Sequence, residues 1–304
     1  MVDHSPILVI GATGRHGGTG NFVAHDLRRR GAVVRALVRQ NDSRSEALEA
    51  SGIEVVLGDL HDERSLKGAV EGVKTAYFTY PIAKGVVDAA ANFAVAARDA
   101  GVERVVIMSM GIARQDSPSP LGRAQWLAEE VLQWSGLATV NLRVAGLFAE
   151  NIDLLHRDDI LNGGVIHNSF SDVPISWITG EDAGKLAVSA LLHPERLNGE
   201  RTIYPTGGAQ VSHSEIAQAL SKKLGRSIRH ETVPRKDWAD RLVQLSRADG
   251  RLSSDMAEHI STVGIALRQQ LPMNRLFEEL THEKPTSILD AIQGGLVGGG
   301  PGPA

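Results

Sequence analysis

A short apolar, partly β-branched run, Ile7-Leu8-Val9-Ile10, leads straight into Gly11-Ala12-Thr13-Gly14-Arg15-His16-Gly17, and no other stretch restricts the fold so tightly. The run reads as a strand buried on both faces. Glycines three apart let the chain turn sharply and bring backbone N–H groups close to a pyrophosphate. Asn21 to Arg30 then supplies a helix whose N-terminus faces that anion. Gly31 stops the helix, and a second strand, Val33 to Val38, follows in the order and lengths of a nucleotide-binding crossover. A tight turn packed on a helix would account for the glycines alone; the strand-helix-strand context is what points to a dinucleotide.

Apolar runs and helical patterns keep alternating to about residue 145. Strands are expected at Ile7 to Ile10, Val33 to Val38, Glu54 to Leu57, Thr75 to Thr79, Arg104 to Met108 and Thr139 to Arg143. Helices fall between them at Asn21 to Arg30, Ser45 to Ala50, Glu63 to Val70, Val86 to Ala100 and Gly122 to Trp134. Gly31, Gly52, Gly101 and Gly136 mark four helix ends, where a left-handed residue lets the chain leave toward the next strand. The expected fold class is therefore α/β, a doubly wound parallel sheet covered on both faces. With 304 residues, 42% hydrophobic and 22% charged, the chain fits a nucleotide-binding domain over 1–150 and a smaller substrate-binding lobe over 151–293, some of whose elements return to the main sheet. Glu181-Asp182 opens a helix through Leu192, and Ser212 to Glu215 has capping-box spacing before a helix to Leu224. Residues 294–304 hold six glycines and two prolines and read as a frayed, flexible tail.

Several function classes drop out on composition. The formal net charge is -4 and there is no long Lys/Arg run, so no direct nucleic-acid binding is expected. The sequence has no cysteine, which removes disulfides, a thiolate nucleophile and the usual zinc clusters; no metal is expected. Met1 to Pro6 is short and polar, and no 18-residue apolar span occurs, so the expected location is cytoplasmic, away from membranes.

Residues with chemical potential cluster at the carboxyl ends of the expected strands, the edge where open parallel sheets bind ligands. Arg39 closes the second strand where an NAD-selective protein usually keeps an acid. A guanidinium there suits a 2′-phosphate and favours NADPH over NADH, although a solvated strand-end arginine is the simpler alternative. Asp42 lies close by and reads as a cap for the next helix. Asp59 and Leu60 follow the third strand; Asp59 either accepts from adenine or starts the next helix. Thr79, Tyr80, Pro81 and Ser109 follow the fourth and fifth strands and should flank the nicotinamide, Tyr80 as an aromatic plug or as a weak proton-donor candidate.

Gly11-Ala12-Thr13-Gly14-x-x-Gly17, the Val-Arg-Ala-Leu-Val-Arg of residues 34 to 39, Gly58-Asp59-Leu60, Glu129-Glu130-Val131-Leu132 with Ser135-Gly136-Leu137, Leu142-Arg143, Glu150-Asn151 and Asp182-Ala183 together resemble the NmrA-like group of atypical short-chain dehydrogenases. The likeness spans most of residues 7 to 225. It implies a Rossmann fold and NADP(H), and relatives that include quinone reductases, triphenylmethane-dye reductases, isoflavone-type reductases and cofactor-sensing regulators. Under it, Gly11, Thr13, Gly14, Arg15, His16 and Gly17 would surround the pyrophosphate, Arg39 the 2′-phosphate, and Asp59 and Leu60 the adenine.

One departure bears on chemistry. Typical short-chain dehydrogenases carry Tyr-x-x-x-Lys in the fifth helix, the tyrosine protonating a carbonyl oxygen. Alignment on Glu129 to Leu132 puts Leu121 and Gln125 at those two positions. The dyad is absent. Two readings follow: a reductase acting on an electron-poor acceptor such as a quinone, which mainly needs positioning, or a non-catalytic NADP(H) sensor working through a protein partner. Ser119-Pro120-Leu121-Gly122 resembles the bacterial quinone reductases of the group, and Gln125 is a candidate ribose or nicotinamide ligand with a weak catalytic claim. Phe148, His167 and Trp177 are candidate substrate contacts for a flat molecule, with core packing the alternative for the two aromatics and a surface loop the alternative for His167.

Overall fold

The computed structural model describes residues 5–14, 17–248, 250, 252–266, 272–295 and 297. Its first half alternates strand and helix as β1 Ile7–Ile10, α1 Thr19–Arg29, β2 Val34–Val38, α2 Ser43–Ala50, β3 Glu54–Leu57, α3 Lys67–Val70, β4 Thr75–Phe78, α4 Val86–Asp99, β5 Arg104–Met110, α5 Pro120–Trp134 and β6 Ala138–Val144. The second half adds β7 Leu147–Phe148, α6 Asn151–Asp158, β8 Val165–Asn168, β9 Ile175–Ile178, α7 Gly180–Leu192, β10 Thr202–Ile203, β11 Ala209–Val211, α8 His213–Leu224, β12 Arg229–Thr232, α9 Arg235–Ala248, α10 Ser254–Ala266, α11 Leu276–Thr281 and α12 Ile288–Gly294.

Seven strands form one sheet in the order β3-β2-β1-β4-β5-β6-β10, every pair parallel. Side chains alternate across it. Val9, Ala36, Tyr77 and Val106 face α1, α2 and α7, while Leu8, Ile10, Ala76, Phe78 and Ile107 face α3, α4 and α5. Burial on both faces is why these strands read as continuous apolar runs. The order reverses between β1 and β4, and that switch point opens a crevice at the strands' carboxyl ends.

All six expected strands are present, with ends moved by a residue or two. The expected helix over Glu63 to Val70 divides into a 3₁₀ turn, Glu63–Leu66, and α3. Helix α5 begins at Pro120 because Ser119 caps it, accepting from Gly122 N–H at 3.3 Å, and proline suits the first turn. Gly31, Gly52, Gly101 and Gly136 all have positive φ.

The second half divides between two bodies. Helix α7 packs beside α1 on the main sheet, α11 packs on α7, and β10 pairs with β6 through Thr202 and Ile203. The remaining elements form a lobe with two small sheets, β11-β9-β7 and β12-β8, and apolar clusters centred on Trp177 and on Trp238. At the start of the expected tail, Gly294 ends α12 and Val297 is buried in the cluster that holds Ile288 and Ile292. The tail's other residues, except Gly295, lie outside those described. Among the described residues, no helix is long and apolar enough to cross a membrane, and no group of three or more His, Asp or Glu side chains could hold a metal.

Candidate functional site

The crevice holds two cavities. The first, about 240 Å³, is lined by Gly11, Thr13 and Gly14 of the glycine turn and by the residues following β2, β3 and β4. Gly11 has φ +84°, and a Cβ there would stand 2.4 Å from Thr79 Cγ2, so no side chain fits. The N–H of Gly14 donates to Gly11 O at 2.9 Å and closes the turn. Close packing of helix on strand falls to Gly20, where a Cβ would stand 2.3 Å from Gly11 O. Arg15 and His16 lie outside the described residues. A cradle without side chains at a helix start fits a pyrophosphate.

Arg39 is exposed and lines this cavity beside Arg44 of α2, a second cation that the sequence reading missed. Arg44 Nη1 donates to Thr13 O at 2.7 Å, and its Nε donates to Asp42 at 3.1 Å. Asp42 caps α2, accepting from the N–H groups of Arg44 and Ser45. The Arg44 guanidinium beside it holds the carboxyl down at about 2. Its charge is thereby committed to the cap and to Arg44; among the described residues, Arg39 and Arg44 are the arginines that line this cavity.

Asp59 and Leu60 line the same cavity. Asp59 accepts from His61 N–H at 2.9 Å, while the start of the next helical turn belongs to Asp62, which accepts from Arg64 N–H. Thr79, Tyr80 and Pro81 complete the wall. The Tyr80 hydroxyl sits 2.8 Å from His61 Nε2 and donates to Lys84 O at 3.2 Å, and burial pushes its phenol above the ordinary range. A phenol so placed holds a loop and faces the nucleotide cleft.

The second cavity, about 280 Å³, is largely apolar and lies over the ends of β5 and β6. Phe148 and Trp177 line it, with Ser109 and Tyr204 among its polar groups. Trp177 is buried, and its Nε1–H donates to Val211 O at 2.9 Å, which satisfies the indole and leaves its ring for packing. The Phe148 ring lies over the glycine turn, 3.4 Å from where a Gly17 Cβ would stand. Phe148 thus lines the second cavity and lies against the glycine turn. Met256, His259 and Ile260 of α10 cover the far side, with His259 Nδ1 2.8 Å from Ser119 Oγ at the α5 cap.

Behind Ser109 lies a buried polar network. Ser109 donates to Glu129 Oε1, and Arg143 Nε donates to Glu129 Oε2 at 3.0 Å. Burial pushes the Glu129 carboxyl upward, opposed by the donors Arg143 and Ser109. Gln125 is buried in α5 and lines neither cavity. His167 is also outside both, held on β8 between Asp159 and Glu231 at 3.3 Å each. His156 on α6 does line the second cavity; its ring stacks on Trp238 at 5.3 Å, and burial holds its pKa well below the ordinary histidine value. Arg44, His156, Tyr204 and His259 carry no local signal in the sequence, because fold contacts between distant segments bring them to the site.

Comparison with known proteins gives the family. A model of the NmrA-like family matches residues 3–263. The chain belongs to the NmrA-like family. Within its wider relations, this NmrA-like chain is 34% identical over 231 residues to the NAD(P)H azoreductase of Xenophilus azovorans, covering 75% of the chain and 77% of that protein. It is 26% identical over 293 residues to quinone oxidoreductase 2 of Escherichia coli strain K12, covering 94% and 97%. The fold matches that of an Escherichia coli NADPH-dependent quinone oxidoreductase crystallised with NADPH, with a TM-score of 0.78 and 23% identity over 95% of this chain and 99% of that one.

Proposed function

We propose that this chain is an NAD(P)H-dependent reductase that prefers NADPH and passes hydride to a flat, electron-poor acceptor such as a quinone. The observation that carries the reading is the pair of cavities at the carboxyl ends of the strands: a glycine-turn cleft lined by Arg39, and an aromatic-lined cavity of about 280 Å³ over the ends of β5 and β6. The names of the azoreductase and quinone oxidoreductase relatives support it.

When bound, a reduced nicotinamide supplies the hydride. The chain's own residues position and exclude. Gly11, Thr13 and Gly14 would hold the pyrophosphate, Arg39 with Arg44 nearby the 2′-phosphate, and Asp59 and Leu60 the adenine. Thr79, Pro81 and Ser109 would border the nicotinamide ribose or ring, and Phe148 and Trp177 would stack the acceptor. Leu121 and Gln125, at the positions of the usual dyad, are both buried. A delocalised anion such as a hydroquinone monoanion does not require their missing acid, since water can protonate it.

The test is to mix the protein with NADPH and a panel of small quinones and azo dyes, follow loss of reduced-nicotinamide absorbance, and run NADH in parallel. Turnover selective for NADPH is expected. Tight cofactor binding with no oxidation by any acceptor would overturn the reductase reading in favour of a cofactor sensor.

A further inference from the structure

Tyr204 follows β10, the short strand that returns to the edge of the main sheet, and its side chain reaches the acceptor cavity from there. Its hydroxyl oxygen accepts from Arg143 Nη1 at 2.6 Å, and the guanidinium carbon lies 5.6 Å from the ring centroid. Arg143 cannot swing away, because Glu129, 1% exposed, holds it through Nε and Nη2. The same carboxylate takes the Ser109 hydroxyl on its other oxygen. Thus one buried acid holds Ser109, which lines the cavity, and Arg143, which in turn holds the hydroxyl of Tyr204.

The direction of the Tyr204 bond matters. Its oxygen is an acceptor toward a cation, and among the described residues none accepts the phenolic O–H. Accepting from a cation polarises a hydroxyl and strengthens it as a donor. In this largely apolar cavity, whose other polar lining includes Ser109, Asn151, Ser176 and His259, that hydrogen is left for a ligand oxygen. Resting on the reductase reading above, we infer that Tyr204 is a catalytic residue: it donates a hydrogen bond to the acceptor oxygen on which negative charge collects as hydride arrives.

No bond to Tyr204 is made or broken. The hydride carries two electrons from the dihydronicotinamide to the quinone, leaving the oxidised pyridinium and a hydroquinone monoanion, and the monoanion takes one proton from solvent. Tyr204 keeps its own proton and stabilises the oxyanion, as a fixed donor does in an oxyanion hole.

Binding to the protein saturated with NADP⁺ tests this without turnover. Calorimetric titration with 1,4-naphthoquinone and with naphthalene compares two flat ligands that differ by the carbonyl oxygens. The expected result is a preference for the quinone that falls about tenfold in Tyr204→Phe, with naphthalene and NADP⁺ affinities unchanged. Arg143→Lys, which keeps a cation but loses the fork, should show a smaller fall. In steady state with NADPH, Tyr204→Phe should lower kcat for naphthoquinone more than it raises KM. An equal quinone-to-naphthalene ratio in the two proteins, or no quinone preference in the wild type, overturns the role of Tyr204. Absence of NADPH oxidation by the wild type overturns the reductase reading, and the catalytic role with it, while the binding ratio still decides whether Tyr204 donates to a ligand oxygen.

Discussion

Arg39 and Arg44 show how much of a cofactor preference rests on single side chains. Arg39 follows β2 where its type alone suggested a phosphate contact, while Arg44 is positioned by Asp42 and by the Thr13 carbonyl. Arg39→Ala should weaken NADPH binding by about 1.5–3 kcal/mol, roughly ten- to a hundred-fold, and leave NADH nearly unchanged, measured by titration of each cofactor. Equal losses would remove the phosphate assignment. Gly11→Ala should abolish binding of both cofactors, since its Cβ would meet Thr79 and its φ is positive. The residues legible in the sequence were those whose chemistry is local: the glycine turn, Arg39, and the acid after β3. Tyr204 and His259 were not legible, because each acts through a partner 61 or 140 positions away.

At the level of elements, the parallel strands were readable because burial on both faces leaves unbroken apolar runs, and their order follows from short crossovers. The second half was less readable. Nothing in Thr202-Ile203 announces a strand, since two residues carry no period, and it pairs only because Asn141 N–H and the Arg201 carbonyl meet at the open edge of β6. Helix α10 forms one wall of the acceptor cavity and is tied to the main body at two points, Ser119–His259 and Lys84–Asp255. Ser119→Ala removes both the α5 cap and the His259 partner, so it should cost about 1–2 kcal/mol in denaturant unfolding. The Lys84–Asp255 pair is solvent-exposed on the lysine side, and Asp255→Asn should cost less than about 1 kcal/mol.

Across the whole molecule, stability should depend on pH through the histidines of the second lobe. Burial holds His156 well below the ordinary value of 6.5 and pushes His213 down to about 3, with His230 adding repulsion to both. An unfolded histidine takes a proton as pH falls through 6.5, whereas these two stay neutral in the fold. Their contribution is present above pH 6.5 and is lost as pH falls toward the folded values, at about 1.4 kcal/mol per pH unit for each group. His213→Phe should flatten the loss of stability between pH 6.5 and 5 by about that slope, read from denaturant midpoints at several pH values; the Nδ1 of His213 makes no hydrogen bond that the substitution would break. Unchanged slopes would exclude it as a source.

The first residue of α7 sets a different kind of constraint. A Cβ on Gly180 would lie 1.5 Å from the carbonyl oxygen of Gly17, so the fingerprint loop leans on a helix that begins more than 160 positions later in the chain. The loop is therefore one side of a joint and owes its shape to both halves of the polypeptide. A fragment ending before Thr179 would contain the whole glycine fingerprint and lack the surface that holds it in form. Autonomy, in this molecule, stops short of the motif that announces it.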